Sequence, residues 1–462
     1  MKVSLINPFN NGSYPQPPMG LALLAAVLET RRHQVNVIDA NALGLRPEGV
    51  SASVDGADVV GITAMTPMIA EALRIASQLK KSHPELPVIL GGAHASLMPE
   101  ETLKSAPQID ILVKGEGENT FVDLLDALQS RKSLEGMTGV NYRKDGVIVS
   151  NSPCPSLVDL DLQPFLAYHL LPLDKYKPHP PHGRSLPFAA LITSRGCPYN
   201  CSYCSKPVFG YKFRAQSSGR VIEEIIYYKK RFGVREIAFY DDVFTLNKKR
   251  VHDIAEGMIS KDLKLHWTCE TRVDLVNKEM LRHMKAAGCY AVSYGIESAS
   301  QEILDVINKK ITREQMEEAV LLTREAGIQA IGYFMIGSPG ESVETIKQTI
   351  KLAKDLRFDY AQFAIATPFP GTEFYRLYAE KNKVPISWER FVYDGVMADQ
   401  TPLFESPLLS RRDLQYWRKR AYKEFYLRPS YIWEQIRKLT SLGDLKLSLR
   451  GLRFLFSYLK PH

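Results

Sequence analysis

Three of the chain's six cysteines fall inside Arg195-Gly196-Cys197-Pro198-Tyr199-Asn200-Cys201-Ser202-Tyr203-Cys204, directly after the apolar run Phe188–Ile192. Their spacing is C-x3-C-x2-C. Three thiolates on one short loop suit an iron–sulfur cluster better than zinc, because a structural zinc site needs a fourth protein ligand and no fourth Cys or His lies at motif distance. A 4Fe–4S cube held by three cysteines keeps one iron open to an outside ligand, which is a catalytic arrangement. The blander alternative is three unrelated buried or disulfide-forming thiols, but six cysteines in 462 residues are no disulfide scaffold. An oxygen-labile cluster also calls for a reducing, cytoplasmic setting.

C-x3-C-x2-C with an aromatic residue, Tyr203, before the last cysteine resembles the signature of the radical S-adenosylmethionine (radical SAM) superfamily. The resemblance implies that Cys197, Cys201 and Cys204 ligate the cluster and that its open iron chelates the amino and carboxylate groups of SAM. One electron from an outside donor of the flavodoxin or ferredoxin type would then cleave SAM to methionine and a 5′-deoxyadenosyl radical. That radical abstracts hydrogen from an unactivated carbon.

The elements needed to position such a loop are legible around it. Within 187–400 strand-like runs at Phe188–Thr193, Glu236–Tyr240, Leu265–Cys269, Ala291–Ile296, Ala330–Ile336 and Ala361–Ala366 alternate with helical runs. A six-fold β/α repeat that begins at the cysteine loop fits a partial (β/α)6 barrel, where functional residues gather at the carboxyl ends of the strands. Those ends read Tyr240-Asp241-Asp242, Glu270-Thr271-Arg272, Gly295-Ile296-Glu297-Ser298, Gly337-Ser338-Pro339-Gly340-Glu341 and Thr367-Pro368. Each acid taken singly could be a helix cap or a surface ion pair. By resemblance, Glu297 and Ser298 meet the ribose and methionyl part of SAM, Gly337 lets backbone approach the adenine, and Tyr203 lies near the same ring. Arg272 is the expected partner of the SAM carboxylate, since guanidinium binds carboxylate as a fork. Cys269 and Cys289 read as small packed hydrophobes.

Residues 1–128 alternate apolar strands with helices, which predicts an open parallel sheet of the Rossmann-like kind. Its expected strands end at Thr63, at Gly91-Gly92 and ahead of Gly115-Glu116-Gly117-Glu118. Paired glycines can simply turn the chain, but three such loops at one sheet edge let backbone approach a large flat ligand closely. The segment resembles the cobalamin-binding domain of one large radical SAM class. Thr63, Gly91 and Gly92 would line the pocket of the nucleotide tail, and Glu116 and Gly117 would lie near the corrin. The loop after the first strand, Asn7-Pro8-Phe9-Asn10-Asn11-Gly12, has no histidine, so cobalamin is expected without a protein ligand below cobalt; His94 is expected to hydrogen-bond.

Residues 129–186 read as a connector, a short hairpin followed by a proline-rich strap carrying His169, His179 and His182 in no compact ligand spacing. Residues 401–462 form a basic helical tail. From Arg411 onward 13 Lys and Arg stand against 4 Asp and Glu, a net of +9 within the chain's +8, which leaves −1 for residues 1–410. The body therefore offers nucleic acid no electrostatic footprint. Leu445, Leu449, Leu452, Phe456 and Leu459 recur at helical steps among cations, a pattern suited to an anionic membrane surface, whereas 411–430 could equally pack on the barrel. No stretch approaches the ~18 apolar residues of a membrane span, and the N-terminus lacks a signal-peptide layout. The expectation is a cytoplasmic protein, peripheral on the membrane through its tail.

The resulting expectation is a cobalamin-dependent radical SAM enzyme that modifies an unactivated carbon of a small-molecule or lipid-like substrate, by methyl transfer. The alternative within the class is a cyclase or rearrangement enzyme without methyl transfer, such as the anaerobic Mg-protoporphyrin ester cyclase that the chain also resembles. The alternative from another class is a cobalamin or redox sensor, which would have no use for a SAM site. A second cluster or a basic domain, as RNA-modifying relatives would need, is not evident.

Overall fold

The computed structural model describes residues 1–10, 15–178, 183–377, 391, 405 and 408–437. Strands β1 (Lys2–Asn7), β2 (Gln34–Asp39), β3 (Val59–Thr63), β4 (Val88–Gly91) and β5 (Ile111–Val113) are short, apolar and pair in parallel in the order β2-β1-β3-β4-β5. Helices such as Met19–Thr30, Ile69–Ser82 and Gly117–Gln129 cover them, so Leu5, Val60, Ile62 and Leu90 are buried. The order reverses between β1 and β3, and beyond the carboxyl ends at such a point a crevice opens.

The hairpin read with the connector extends this sheet instead. Strand β6 (Val140–Lys144) pairs antiparallel with β5 (Val113↔Val140), and β7 (Val147–Ser150) pairs with β6. Without it the edge of β5 would present unpaired backbone. The strap that follows is irregular, as its prolines require, and two tyrosines pin it to both halves of the chain. The Tyr176 hydroxyl donates to Asp39 Oδ2 at 2.7 Å. The Tyr168 hydroxyl donates to the Ala190 carbonyl at 2.6 Å and accepts from the Ala190 N–H at 2.9 Å.

The second sheet begins at β8 (Phe188–Leu191). After the two-residue strands β9 (Ser194–Arg195) and β10 (Arg214–Ala215) it continues through β11 (Glu236–Phe239), β12 (His266–Thr271), β13 (Cys289–Glu297), β14 (Gln329–Ile336) and β15 (Tyr360–Ile365). The six long strands are all parallel in the order β15-β14-β13-β12-β11-β8, and the two ends do not pair with each other. This is a partial barrel. Phe239, Phe244 and Trp267 pack together in the main core, and Tyr290, Ala291 and Ile331 form a separate small cluster. Cys269 and Cys289 are buried within the barrel.

Helix Arg411–Tyr426 lies against the open edge strand β15, so this part of the tail closes the barrel. Its aromatic content has a specific use. The Tyr422 hydroxyl accepts from the Phe363 N–H at 3.2 Å, and the Tyr426 hydroxyl accepts from the Ala361 N–H at 3.1 Å while donating to the Ala361 carbonyl at 2.8 Å. Side chains thus serve an edge that has no next strand. The stripe from Leu445 to Leu459 lies outside the described residues, as do His179 and His182.

Candidate active site

The cysteine loop leaves β9 and returns on β10, which pair antiparallel at its base (Arg195↔Arg214, Ser194↔Ala215). Gly196 has φ +83°, and a Cβ there would collide with the Lys212 carbonyl, so only glycine lets the chain turn into the loop. The Gly196 N–H donates to Asp242 Oδ2 at 3.1 Å, the Cys197 N–H to the Gly210 carbonyl at 3.3 Å, and the Ser202 N–H to the Ile307 carbonyl at 2.9 Å. Asp241 behind it is fully occupied, accepting from the Thr193 N–H (2.7 Å) and the hydroxyls of Thr193 (2.8 Å) and Ser194 (2.6 Å). The loop is thereby fastened to the barrel mouth.

Cys201 is buried, Cys197 half-buried and Cys204 the most open. Even so, burial pushes the Cys204 thiol up to about 11 and also raises Cys197, while Lys206 opposes both shifts. Left alone, these two thiols stay protonated at neutral pH; bound metal charge is what would ionise them. Among the described residues no three His, Cys, Asp or Glu side chains converge on one point as ligands of a single ion. Ligands on separate corners of a cube need not converge in that way.

Facing the loop, Glu297 ends β13 past a bulge and holds φ +67°. A bulge re-aims a side chain, and a left-handed non-glycine residue stores roughly 1–3 kcal/mol that the surroundings must hold in place. Glu297 Oε1 accepts from the Tyr203 hydroxyl at 2.9 Å and from Lys309 Nζ at 2.8 Å, and Lys309 Nζ lies 3.0 Å from the Tyr203 oxygen. Glu297 Oε2 is left for a ligand. Burial, followed by the Glu297 charge, holds the Tyr203 hydroxyl well above its usual range, so it remains a donor. Lys309 has no motif to announce it: it sits in a short loop between two residues of positive φ, Asn308 and Lys310.

Two expected SAM contacts are placed differently. Arg272 forms its fork with Asp274 (Nε–Oδ1 2.9 Å, Nη2–Oδ2 3.1 Å), adds the Lys310 carbonyl at 3.3 Å, and stacks 3.7 Å from the Tyr199 ring centre. It braces the cysteine loop rather than offering a free fork to a carboxylate. Ser298 is fully buried, with its hydroxyl 3.3 Å from that of Thr349 and accepting from the Ser300 N–H at 3.2 Å, so it packs strand on helix. Gly337, with φ +97°, donates its N–H to Glu341, whose carboxyl burial pushes up to about 7. Leu414 of the tail helix lies against that turn, 3.0 Å from where a Gly337 Cβ would stand. Glu270 is a further buried acid at this mouth. Among the described residues its carboxyl takes one hydrogen bond, from the Tyr333 hydroxyl at 3.3 Å, and no ion pair, and burial raises it above the usual range.

Beneath the cysteine loop, at the edge where the first sheet's order reverses, lies a cavity of about 920 Å³ open to solvent. Thr63, Gly91, Gly92, Gly115, Glu116 and Gly117 line it from the sheet side, and Val208 and Phe209 of the cysteine loop wall it from above. A Cβ on Gly20 would meet nothing within 4 Å and one on Gly91 only the Val113 carbonyl at 3.9 Å, so the glycines leave a bare cradle of the kind a broad planar ligand needs. Among the described residues no histidine lines it. His94 is buried elsewhere, between the hydroxyls of Thr66 (3.2 Å) and Thr102 (3.1 Å), and burial lowers it to about 4. Glu116, expected beside a corrin, lines the wall but spends its carboxylate on Arg195 and Arg214.

Two family models match the chain, the radical SAM superfamily over residues 191–353 and the B12 binding domain over residues 10–125. An uncharacterized methyltransferase of Pyrococcus horikoshii is 39% identical over 442 residues, 94% of this chain and 93% of that one. The anaerobic magnesium-protoporphyrin IX monomethyl ester cyclase of Rubrivivax gelatinosus is 30% identical over 450 residues, 94% of this chain and 79% of that one. The chain belongs to the cobalamin-binding class of the radical SAM superfamily.

Solved structures share the fold of this radical SAM protein at low identity. The methyltransferase TsrM from Kitasatospora setae superposes with a TM-score of 0.71 at 19% identity, over 93% of this chain and 90% of that one. The cobalamin-dependent radical enzyme OxsB reaches 0.76 at 18% identity, over 99% and 72%. The radical SAM domain carries a 4Fe–4S cluster and SAM as cofactors, and the B12 binding domain carries cobalamin. The structure supplies places that fit each: three thiols on an anchored loop, a carboxylate aimed across from it, and a glycine-walled cavity below.

Proposed function

We propose that this radical SAM protein is a methyltransferase acting on an unactivated carbon. The observation that carries the reading is the shared wall: the loop of Cys197, Cys201 and Cys204 is also, through Val208 and Phe209, the roof of the sheet cavity. When bound, the cluster with SAM supplies one-electron hydrogen abstraction and cobalamin supplies a methyl carrier. The three cysteines would hold the cluster. Glu297 Oε2 would take a hydroxyl or ammonium of SAM, aimed by the bonds of Lys309 and Tyr203 to Oε1. The Gly337 turn would leave backbone close to the adenine, and the cavity walls at Thr63, Gly91 and Gly92 would exclude water from cobalamin. The mouth between these parts, with Glu270, Tyr333 and Tyr240 facing it, would receive the substrate.

The substrate is proposed to be lipid-like and reached at an anionic membrane surface. Helix Pro429–Arg437 exposes Ile432 (45%), Trp433 (56%) and Ile436 (53%) in the tail that carries the chain's net positive charge. Among the described residues no helix is long and apolar enough to cross a membrane.

Anaerobic incubation of the reconstituted protein with methyl-labelled SAM and a reductant tests the reading. A methyltransferase forms S-adenosylhomocysteine with label moved onto cobalamin, together with 5′-deoxyadenosine. Formation of 5′-deoxyadenosine alone would replace methyl transfer by the cyclase-type reading, which the likeness to the Rubrivivax enzyme favours. Loss of either product from full-length protein floated with anionic vesicles is not expected. Failure to float at all would sink the membrane proposal.

A further inference from the structure

The cysteine loop and the cavity meet at a buried cluster of four charges. Arg195 and Arg214 stand directly opposite each other on the two-residue ladder that closes the base of the loop. Like charges in that position repel. Glu116, from the cavity loop of the first sheet, inserts between them: one oxygen takes Arg195 Nη1, the other lies 2.6 Å from Arg214 Nη1. Glu118, the second residue of the helix Gly117–Gln129 that Glu116 precedes, accepts Arg195 Nη2 at 2.6 Å. All four residues are less than a tenth exposed, and the set is neutral overall. Its remaining donors reach into the loop, since Arg214 bonds the Leu157 carbonyl (2.6 Å) and the Phe209 carbonyl (3.2 Å), and the Arg195 guanidinium lies 5.1 Å from the Phe209 ring centre.

We infer that Glu116 and Glu118 are positioning residues through which the B12 domain closes the base of the cluster loop, so that cobalamin in the cavity and the cluster on the loop bind cooperatively. The argument runs through charge and geometry. Without Glu116 the paired strands β9 and β10 hold two buried arginines face to face with Glu118 alone as counter-ion, on Arg195, and Arg214 with no carboxylate, which makes closing the ladder costly. The loop bearing Glu116 and Gly117 is also a wall of the cavity, and Phe209, held by Arg214, is its roof. A ligand that orders the wall orders the carboxylates, and the carboxylates order the base from which Cys197 follows two residues later. Reciprocity is then required: whatever cobalamin does for the cluster, the cluster does equally for cobalamin. This rests on the proposed use of the cavity and the loop.

The test measures hydroxocobalamin affinity, by absorbance, for the full chain with and without its reconstituted cluster, and the electron paramagnetic resonance signal of the reduced cluster with and without hydroxocobalamin. The parent is expected to bind at least about tenfold more tightly when the cluster is present, and its cluster signal shifts on adding the ligand. Glu118→Gln, an isosteric change at the rim of the charge set, is expected to bring the ratio of its own affinities with and without the cluster below about twofold and to abolish the spectral shift. Equal affinities in the two parent states, or a ratio in Glu118→Gln equal to that of the parent, overturn the coupling while leaving the cavity assignment intact. No binding of hydroxocobalamin in either state overturns the assignment of the cavity and the coupling with it.

Discussion

Two glycines in the cysteine loop should respond differently to one added methyl group. Gly196 (φ +83°) and Gly210 (φ +67°) both hold left-handed backbone, so alanine at either position costs roughly 1–2 kcal/mol in conformational strain. Around Gly210 a Cβ meets nothing within 4 Å, and the cost stops there. At Gly196 a Cβ falls closer than 3.0 Å to the Lys212 carbonyl and 3.2 Å from the Gly210 carbonyl, all backbone atoms that no side-chain rotation can clear. The chain must shift. That breaks the Gly196 N–H bond to Asp242 and the Cys197 N–H bond to Gly210, each worth about 1 kcal/mol net. Gly196→Ala should therefore cost the loop about 3–4 kcal/mol, spent locally because the barrel core from β8 to β15 is untouched. After anaerobic reconstitution, Gly210→Ala is expected to keep the parent's iron and sulfide per chain, and Gly196→Ala to lose most of both with unchanged circular dichroism. Full iron content and an unaltered resonance signal in Gly196→Ala would refute the reasoning, as would equal loss in the two variants.

Lys309→Met removes the cation paired with Glu297 in a site where both side chains are nearly covered; SAM affinity, read from the SAM-induced change in the cluster's resonance signal, should fall at least about tenfold, and an unchanged affinity would exclude Lys309 from the site. Glu341 has a folded pKa of about 7 against an ordinary 4.5. Its contribution is present below pH 4.5 and lost as pH rises through 7, amounting to about 3 kcal/mol. Glu341→Gln should flatten that fall in urea-unfolding free energies of the apoprotein. Because His94, lowered to about 4, tilts stability the opposite way as pH falls from 6.5, the parent-minus-variant difference is the quantity to read, and a difference without slope between pH 4.5 and 7 contradicts the assignment. Tyr426→Phe deprives the Ala361 N–H of its acceptor on β15, costing about 1–3 kcal/mol; hydrogen exchange at the Ala361 amide should speed up by tenfold or more, and unaltered protection there would mean the helix does not serve the edge.

The chemistry of this chain was legible from local spacing because a cluster ligated from one loop needs its cysteines close in sequence. The strands were legible for a similar reason, since parallel strands buried on both faces are written as continuous apolar runs. What the residue order could not show was how partners distant in the chain divide a charge. Arg272 has the fork a carboxylate wants, but Asp274 already occupies it. Lys309 carries no motif, yet completes Glu297. Glu116 is expected near the corrin by resemblance of its glycine-flanked loop, and only the packing of one half of the chain on the other brings two arginines to it. Sequence determines which groups are present and which local loops they can form. Whether a buried charge faces a ligand or a neighbour is decided by tertiary structure, because the cost of leaving it unpaired depends on what lies within a few ångströms in space, and not along the chain.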